Sequence, residues 1–279
     1  MRTLCRPPVV LSLLIAATLL ATALACTKAP EAAGGSKRLS LAEVKAKLAG
    51  ATGTAPDLSQ ADLRALDLSG LDFKRAKLTK AQLARAKLVK ANLFTCDLTD
   101  AVLTDADLRG ANLDGTVLRR TNLQRANLEG ASLFATIAEQ ADLSGANLAR
   151  TRIIGYLKNA KLVRANLSGA NIGADPGNQS MGVMRATFVG ADLSGADLSE
   201  ANLFKADFSY ANLSGARLRG ADLSNSDLVQ TDFSRADLTG AKLNKADVSG
   251  ANFRGVVGQA QIQGLDEARN RDKALFDAP

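Results

Sequence analysis

The chain has 279 residues and carries a net charge of +7, with 46% apolar residues but only 4% aromatic ones and no Trp. It can bury a core, though not one built on large rings. It has no His and only three scattered Cys. This excludes His-based triads, most catalytic zinc sites, a disulfide framework and a CxxC metal knuckle.

The chain begins with Arg2 and Arg6, followed by a largely apolar stretch over residues 8–25 and then Ala23-Leu24-Ala25-Cys26. A charged start, an apolar run and small residues before a cleavage point predict a signal peptide over 1–25. Ala25-Cys26 resembles the lipobox of bacterial lipoproteins, although Ala23 stands where a larger aliphatic is commoner. That resemblance implies acylation of Cys26 and a membrane-anchored, exported protein. Thr27 implies the outer membrane, facing the periplasm, in a Gram-negative cell. Ala23-X-Ala25 also suits ordinary signal peptidase, which would leave a secreted protein with a free Cys26 thiol.

Residues 26–38 are small, polar and Pro/Gly-bearing, and predict a flexible tether. Ser40-Leu41-Ala42-Glu43 is a capping box, with Val44 and Leu48 at helical spacing and Gly50 as a stop. A short amphipathic helix within 39–55 is expected to cap the repeats that begin after it.

From Leu58 a large apolar residue recurs every fifth position through Leu63, Leu68, Phe73 and onward to Ile153, and again from Phe188 to Phe253. A small residue, usually Ala, sits two places before each centre, and Asp or Asn most often sits one place before. Neither a helix nor a plain strand repeats in fives. A three-residue strand and a two-residue corner do. The Ala and the centre then share the inward face, and Asp/Asn points outward. Cys96 falls at an inward small position, which predicts a core role.

Ala-(Asp/Asn)-Leu-X-X resembles the pentapeptide-repeat family. The resemblance implies an all-β fold, a right-handed quadrilateral β-helix with four units per 20-residue coil. Phe188/Phe208 and Phe233/Phe253, each 20 apart, fit that step. So do the outward columns Asp197–Arg217–Asp237 and Asp192–Asn212–Asp232–Asn252, because neighbouring coils about 4.8 Å apart disfavour like charges. After Ile153 the next centre, Leu157, comes one residue early. The pattern breaks over 173–180 and resumes at Val183 in the original phase. Counting through gives 40 units, or ten coils over residues 56–255, as one solenoid about 48 Å long. A rod kinked near Gly155 or Gly173 is the alternative. Residues 256–279 form a C-terminal cap, with Gln261-Ile262 as a last slipped unit and Leu265–Ala268 and Leu275-Phe276 closing the end.

No nucleophile–base–oxyanion arrangement is present, so no enzyme, catalytic residue, metal or cofactor is expected. The stacked carboxylates Asp207, Asp227 and Asp247 fit either solvated corner residues or a hard-cation site. Phe94, Phe134 and Ile154 lie one place after their centres on one face and predict an apolar partner stripe. Residues 27–93 hold 13 Lys/Arg against 6 Asp/Glu. Within them Lys74, Arg75, Lys77, Lys80, Arg85, Lys87 and Lys90 form a candidate membrane-facing patch.

The expected function is therefore a lipid-anchored, non-catalytic scaffold offering its faces to envelope proteins. Some pentapeptide-repeat members are acidic DNA mimics acting on type II topoisomerases; the charge and the export signal disfavour that alternative. Nucleic-acid binding through the basic end is not expected, since no exposed aromatics interleave with the cations.

Overall fold

In the regular five-residue units, the centre's carbonyl accepts a hydrogen bond from the amide three residues on, as in Ala61 N to Leu58 O (3.1 Å) and Ala76 N to Phe73 O (2.7 Å). The unit therefore ends in a tight β-turn. Its last residue is left-handed: Gln60, Arg75, Lys80 and their non-glycine equivalents have φ between +52° and +65°. The Asp/Asn before the centre closes the same corner from the side-chain end. Its Oδ1 accepts from the amide two residues on, as in Asp57 with Ser59 (2.9 Å) and Asp72 with Lys74 (3.0 Å). An Asx turn needs a short oxygen acceptor, which accounts for Asp and Asn at this place.

In the computed structural model, residues 36–51, 53–174 and 184–278 are described. Parallel bridges join residues 20 apart, as in Asp57↔Lys77↔Asp97 and Asp62↔Gln82↔Val102. Four such ladders run along the molecule, one per side, so the section is four-sided and each coil takes four units. Ala and the centres face inward and are buried throughout. Phe188 stacks on Phe208 at 4.9 Å, and Phe233 on Phe253 at 5.2 Å. Cys96 is fully buried, and its thiol donates to the Phe73 carbonyl. Thr116, Thr121 and Thr231 at equivalent places donate to Leu93, Leu98 and Phe208 of the preceding coil, so each of these buried hydroxyls is satisfied.

The first described segment already belongs to the wall. Arg38 pairs with Asp62, and Leu39 is buried, so 37–39 is a rung rather than part of a tether. Helix α1 spans Leu41–Ala49 and begins with a complete Ser40/Glu43 capping box. Val44 is fully buried, and Leu41 and Leu48 pack against the same core.

The early centre at Leu157 has a definite cause. The only extended strands among the described residues, β1 (Ser132–Ile137) and β2 (Arg152–Tyr156), lie side by side at this place. Their register slips between Phe134 and Ile137, and one corner residue is missing. Gly155, which has no positive φ, takes up the deletion. A Cβ there would fall on the Thr136 carbonyl oxygen and within 3.1 Å of its nitrogen. The ladder continues without interruption, Ile137↔Tyr156↔Thr187, which removes the kinked-rod alternative.

The count through the break changes. Asn171 and Thr187 occupy successive sides of one coil, and their partners in the next, Asn202 and Asp207, are five residues apart. The Ala174 amide still bonds Phe204 O, and Asp207 N bonds Ala186 O. Residues 175–185 are therefore an 11-residue insertion between two regular units. The expected centre Val183 lies outside the described residues.

At the C-terminal end the step lengthens to six: Val257, Gln263, Arg269 and Leu275 pair with Asp237, Lys242, Asp247 and Asn252. Val256, Ile262, Ala274 and Phe276 pack inward, and Phe276 extends the ring stack at 5.3 Å from Phe253. The Ile262 unit is thus one edge of a whole widened coil.

Candidate functional site

The outward surface obeys a rung-to-rung pairing rule. Arg120 lies on Asp100 one coil below (2.7 and 2.8 Å), and Arg125 on Asp105 in the same way. These guanidinium hydrogen bonds hold both carboxyls below their usual range, assisted by Lys80 and Arg85 from the other side. Asn147 bonds Asn127 and Asn166 bonds Asn147, each at 3.1 Å. Arg217 meets Asp197 at 3.2 Å, and Asn212 meets Asp192 at 3.1 Å, as the 20-residue columns predict.

A surface cavity of about 560 Å³ is lined by Arg185, Lys205, Asn225, Lys245 and Arg269. Three separate segments build it. Arg185 ends the insertion, Lys205, Asn225 and Lys245 stand on one corner of consecutive coils, and Arg269 comes from the widened last coil. Beside them runs the column Asp207–Asp227–Asp247. Arg185 reaches Asp227 (2.5 Å) and Asp207 (3.4 Å); Arg269 reaches Asp227 (3.4 Å) and Asp247 (4.0 Å). Asn270 adds a bond to Asp247 at 3.0 Å. The carboxylates are thus bridged by two guanidiniums, and the cation position considered for this column is taken by Arg. Among the described residues no group of three or more Cys, Asp or Glu is placed to hold a metal ion.

The profile described as pentapeptide repeats matches in eight copies, over residues 57–93, 96–133, 126–155, 184–220 and 216–255. The chain belongs to the pentapeptide-repeat family. Its fold is accordingly the right-handed quadrilateral β-helix of that family, whose members are generally structural or interaction proteins. The matched stretches leave out 156–183, which holds most of the insertion.

HetL, a pentapeptide-repeat protein involved in heterocyst differentiation regulation in the cyanobacterium Nostoc, is 31% identical. That match covers 80% of this chain and 86% of HetL, with a TM-score of 0.34. QnrB1, a plasmid-mediated fluoroquinolone resistance protein, is 16% identical over 78% of this chain and 92% of its own, with a TM-score of 0.38. A pentapeptide-repeat protein of the Arabidopsis thaliana thylakoid lumen is 29% identical over 45% of this chain and 82% of its own, with a TM-score of 0.24. No curated protein sequence matches.

On this pentapeptide-repeat wall the sequence-predicted residues separate. Ile154 is not part of an exposed stripe: it is 2% exposed, the rung partner of Phe134 at the step shortened beside Gly155. Phe134 is half-buried beneath the Arg152 guanidinium, 4.5 Å from the ring centre, and Phe94 (38% exposed) has Lys74 5.7 Å away. The same corner column continues to Phe204, which sequence reasoning missed because the insertion breaks the 20-residue count. Cations thus cover these rings, and a bare apolar stripe is absent from this corner among the described residues.

Lys74, Arg75, Lys77, Lys80, Arg85, Lys87 and Lys90 are all exposed. Lys77 and Lys87 stand on two different ladders and the other five on the four corners, so the charge encircles the early coils rather than forming a face. Cys26 lies outside the described residues. Burial pushes the Cys96 thiol up to about 12, consistent with an inert core residue. Arg185 and Arg269 carried no signal in the repeat pattern, since both sit outside regular units.

Proposed function

We propose that the protein is a non-catalytic β-helical scaffold, exported and held in the cell envelope by a lipid on Cys26, that presents its faces to envelope proteins. The observation that carries the scaffold reading is the wall itself. Asx turns brace its regular corners, and ion pairs and amide ladders tie outward side chains between coils, so the surface is preorganised and loses little entropy on docking. The anchor reading rests on Arg2, Arg6, the apolar run and Ala25-Cys26. Among the described residues no helix is long and apolar enough to cross a membrane, and in this reading membrane attachment falls to the lipid.

The test is fractionation of cells fed a fatty-acid analogue. The native chain is expected to carry the label and sediment with membranes, and Cys26→Ser to lose both. Label-free membrane association would reject the anchor, and crosslinking that captures no envelope protein would reject the scaffold role. The DNA-mimic alternative requires a strongly acidic surface. Outside the first 93 residues the chain holds 20 Lys/Arg against 22 Asp/Glu, close to neutral.

A further inference from the structure

Two corner columns of this wall share one arrangement. Lys80–Asp100–Arg120 and Arg85–Asp105–Arg125 each place a cation, an acid and a cation at the left-handed corner residue of three consecutive coils. In both, the central carboxylate compensates the two flanking cations. Lys205–Asn225–Lys245 occupies the equivalent places on another corner, with φ of +60°, +59° and +58°. Here the middle residue is the uncharged amide of the same shape.

The nearby carboxylates do not make up the difference. Asp207, Asp227 and Asp247 are engaged by Arg185 and Arg269. Neither Lys205 nor Lys245 has an acidic partner among the described residues; the Lys205 ammonium lies 5.2 Å from the Phe204 ring. Two ammoniums on backbones about 10 Å apart therefore face one cavity with an amide between them and a guanidinium from each irregular segment at its edge. Asn and Lys side chains supply N–H donors there, and the bridged arginines retain further donors.

We infer that this cavity binds an external oxyanion, a carboxylate or phosphate group, in the place that the carboxylates of Asp100 and Asp105 fill on the other corners. The anion sits over Asn225 between Lys205 and Lys245. A group with two linked charges is preferred, because it reaches both ammoniums and also the outer guanidiniums. The site exists only where the insertion and the widened coil bring Arg185 and Arg269 to the wall, so it is a departure from the repeat and not a property of it.

The experiment is calorimetric titration of the full-length protein at low salt with pyrophosphate in one arm and citrate in the other, and with sodium chloride matched in ionic strength as the control. Saturable binding in either arm or both is expected, and the preferred arm identifies phosphate or carboxylate as the natural group. Asn225→Asp supplies the missing charge internally and is expected to weaken binding at least tenfold, as is Lys205→Gln with Lys245→Gln. Asp100 and Asp105 hold the same backbone conformation with an Asp, so Asn225→Asp is expected to fold, and circular dichroism checks it. No saturable binding in either arm, a response equalled by sodium chloride, or unchanged affinity in the folded Asn225→Asp chain would each overturn the inference.

Discussion

Asp62 shows how one residue of the repeat acquires a role the pattern does not give it. It stands on the first rung, almost fully buried beneath Arg38, and its carboxylate receives Arg64 through two hydrogen bonds of 2.9 and 2.7 Å. The Arg64 pair, with its backbone amide, pulls the carboxyl down to about 2 against the desolvation that opposes it. A group whose folded-state value lies below its unfolded value contributes stability above the unfolded value, here near 4, and loses it as the pH falls toward 2. Arg64 is half exposed, so the contribution is about 1–2 kcal/mol rather than the full shift. Asp62→Asn is expected to lower the unfolding midpoint at pH 7 and to have little effect at pH 2, read by thermal melts across that range. A difference that persists unchanged at pH 2 would show that Asp62 acts through packing.

Elements of this fold are single corners, and the two kinds of glycine corner separate space from conformation. Gly130 has φ +66° and open space within 4 Å of where a Cβ would stand, so Gly130→Ala pays only for a left-handed Ala, about 1 kcal/mol. Gly155 has no such φ, but a Cβ there meets the Thr136 backbone of the preceding coil. Gly155→Ala must separate two coils at the β1/β2 step and is expected to cost at least about 2 kcal/mol more than Gly130→Ala. Denaturant titration of the two variants checks the order; equal costs would mean that the slip relaxes easily. The insertion makes the complementary point. Ala174 and Ala186 both hold regular positions, so deleting 175–185 joins them directly and restores the regular step between Asn171 and Thr187. The shortened chain is expected to keep its β circular dichroism and lose only the clamp of Arg185 on Asp207 and Asp227; loss of the fold would make the segment part of the core.

These corners also mark how far the sequence can be read. The side facing in, the Phe stacks, Cys96 and the charge-alternating columns follow from a period of five and a coil of 20, because inward packing and rung spacing repeat rigidly. The burial of Ile154 escapes the pattern because it arises where one corner residue is deleted and the register slips. The six-residue last coil is only partly legible because its inward residues, Val256 and Ile262, precede Gly258 and Gly264 rather than large centres. The Arg185–Arg269 cleft is not legible, since Arg185 and Arg269 each reach Asp227 from 42 residues away and neither holds a repeat position.

At the scale of the whole molecule the charge gradient matters more than any one patch. The seven cations of the early coils lie on two ladders and all four corners, so no single side of the helix presents them together. What they share is an end, the one nearest in sequence to Cys26. An anionic surface is therefore expected to meet this end of the β-helix, with the axis leaving the bilayer and the cleft lined by Arg185 and Arg269 on the distant coils. Each Lys or Arg within a Debye length of such a surface contributes up to about 1 kcal/mol, and less as salt rises. Where the proposed lipid on Cys26 retains the protein, this energy sets orientation rather than attachment. The prediction is made on the Cys26→Ser chain, which carries no acyl group there, mixed with vesicles of anionic or neutral lipid. Binding is expected to be at least tenfold tighter to the anionic vesicles at low salt. It should fall in 0.5 M salt and also when Lys74, Lys77, Lys80 and Lys87 are changed together to Gln. Neutralising Lys205 and Lys245 instead should leave it unchanged, because they stand on coils far from the surface. Equal binding to both lipids, or a loss caused by the distal pair, would reject the end-on orientation.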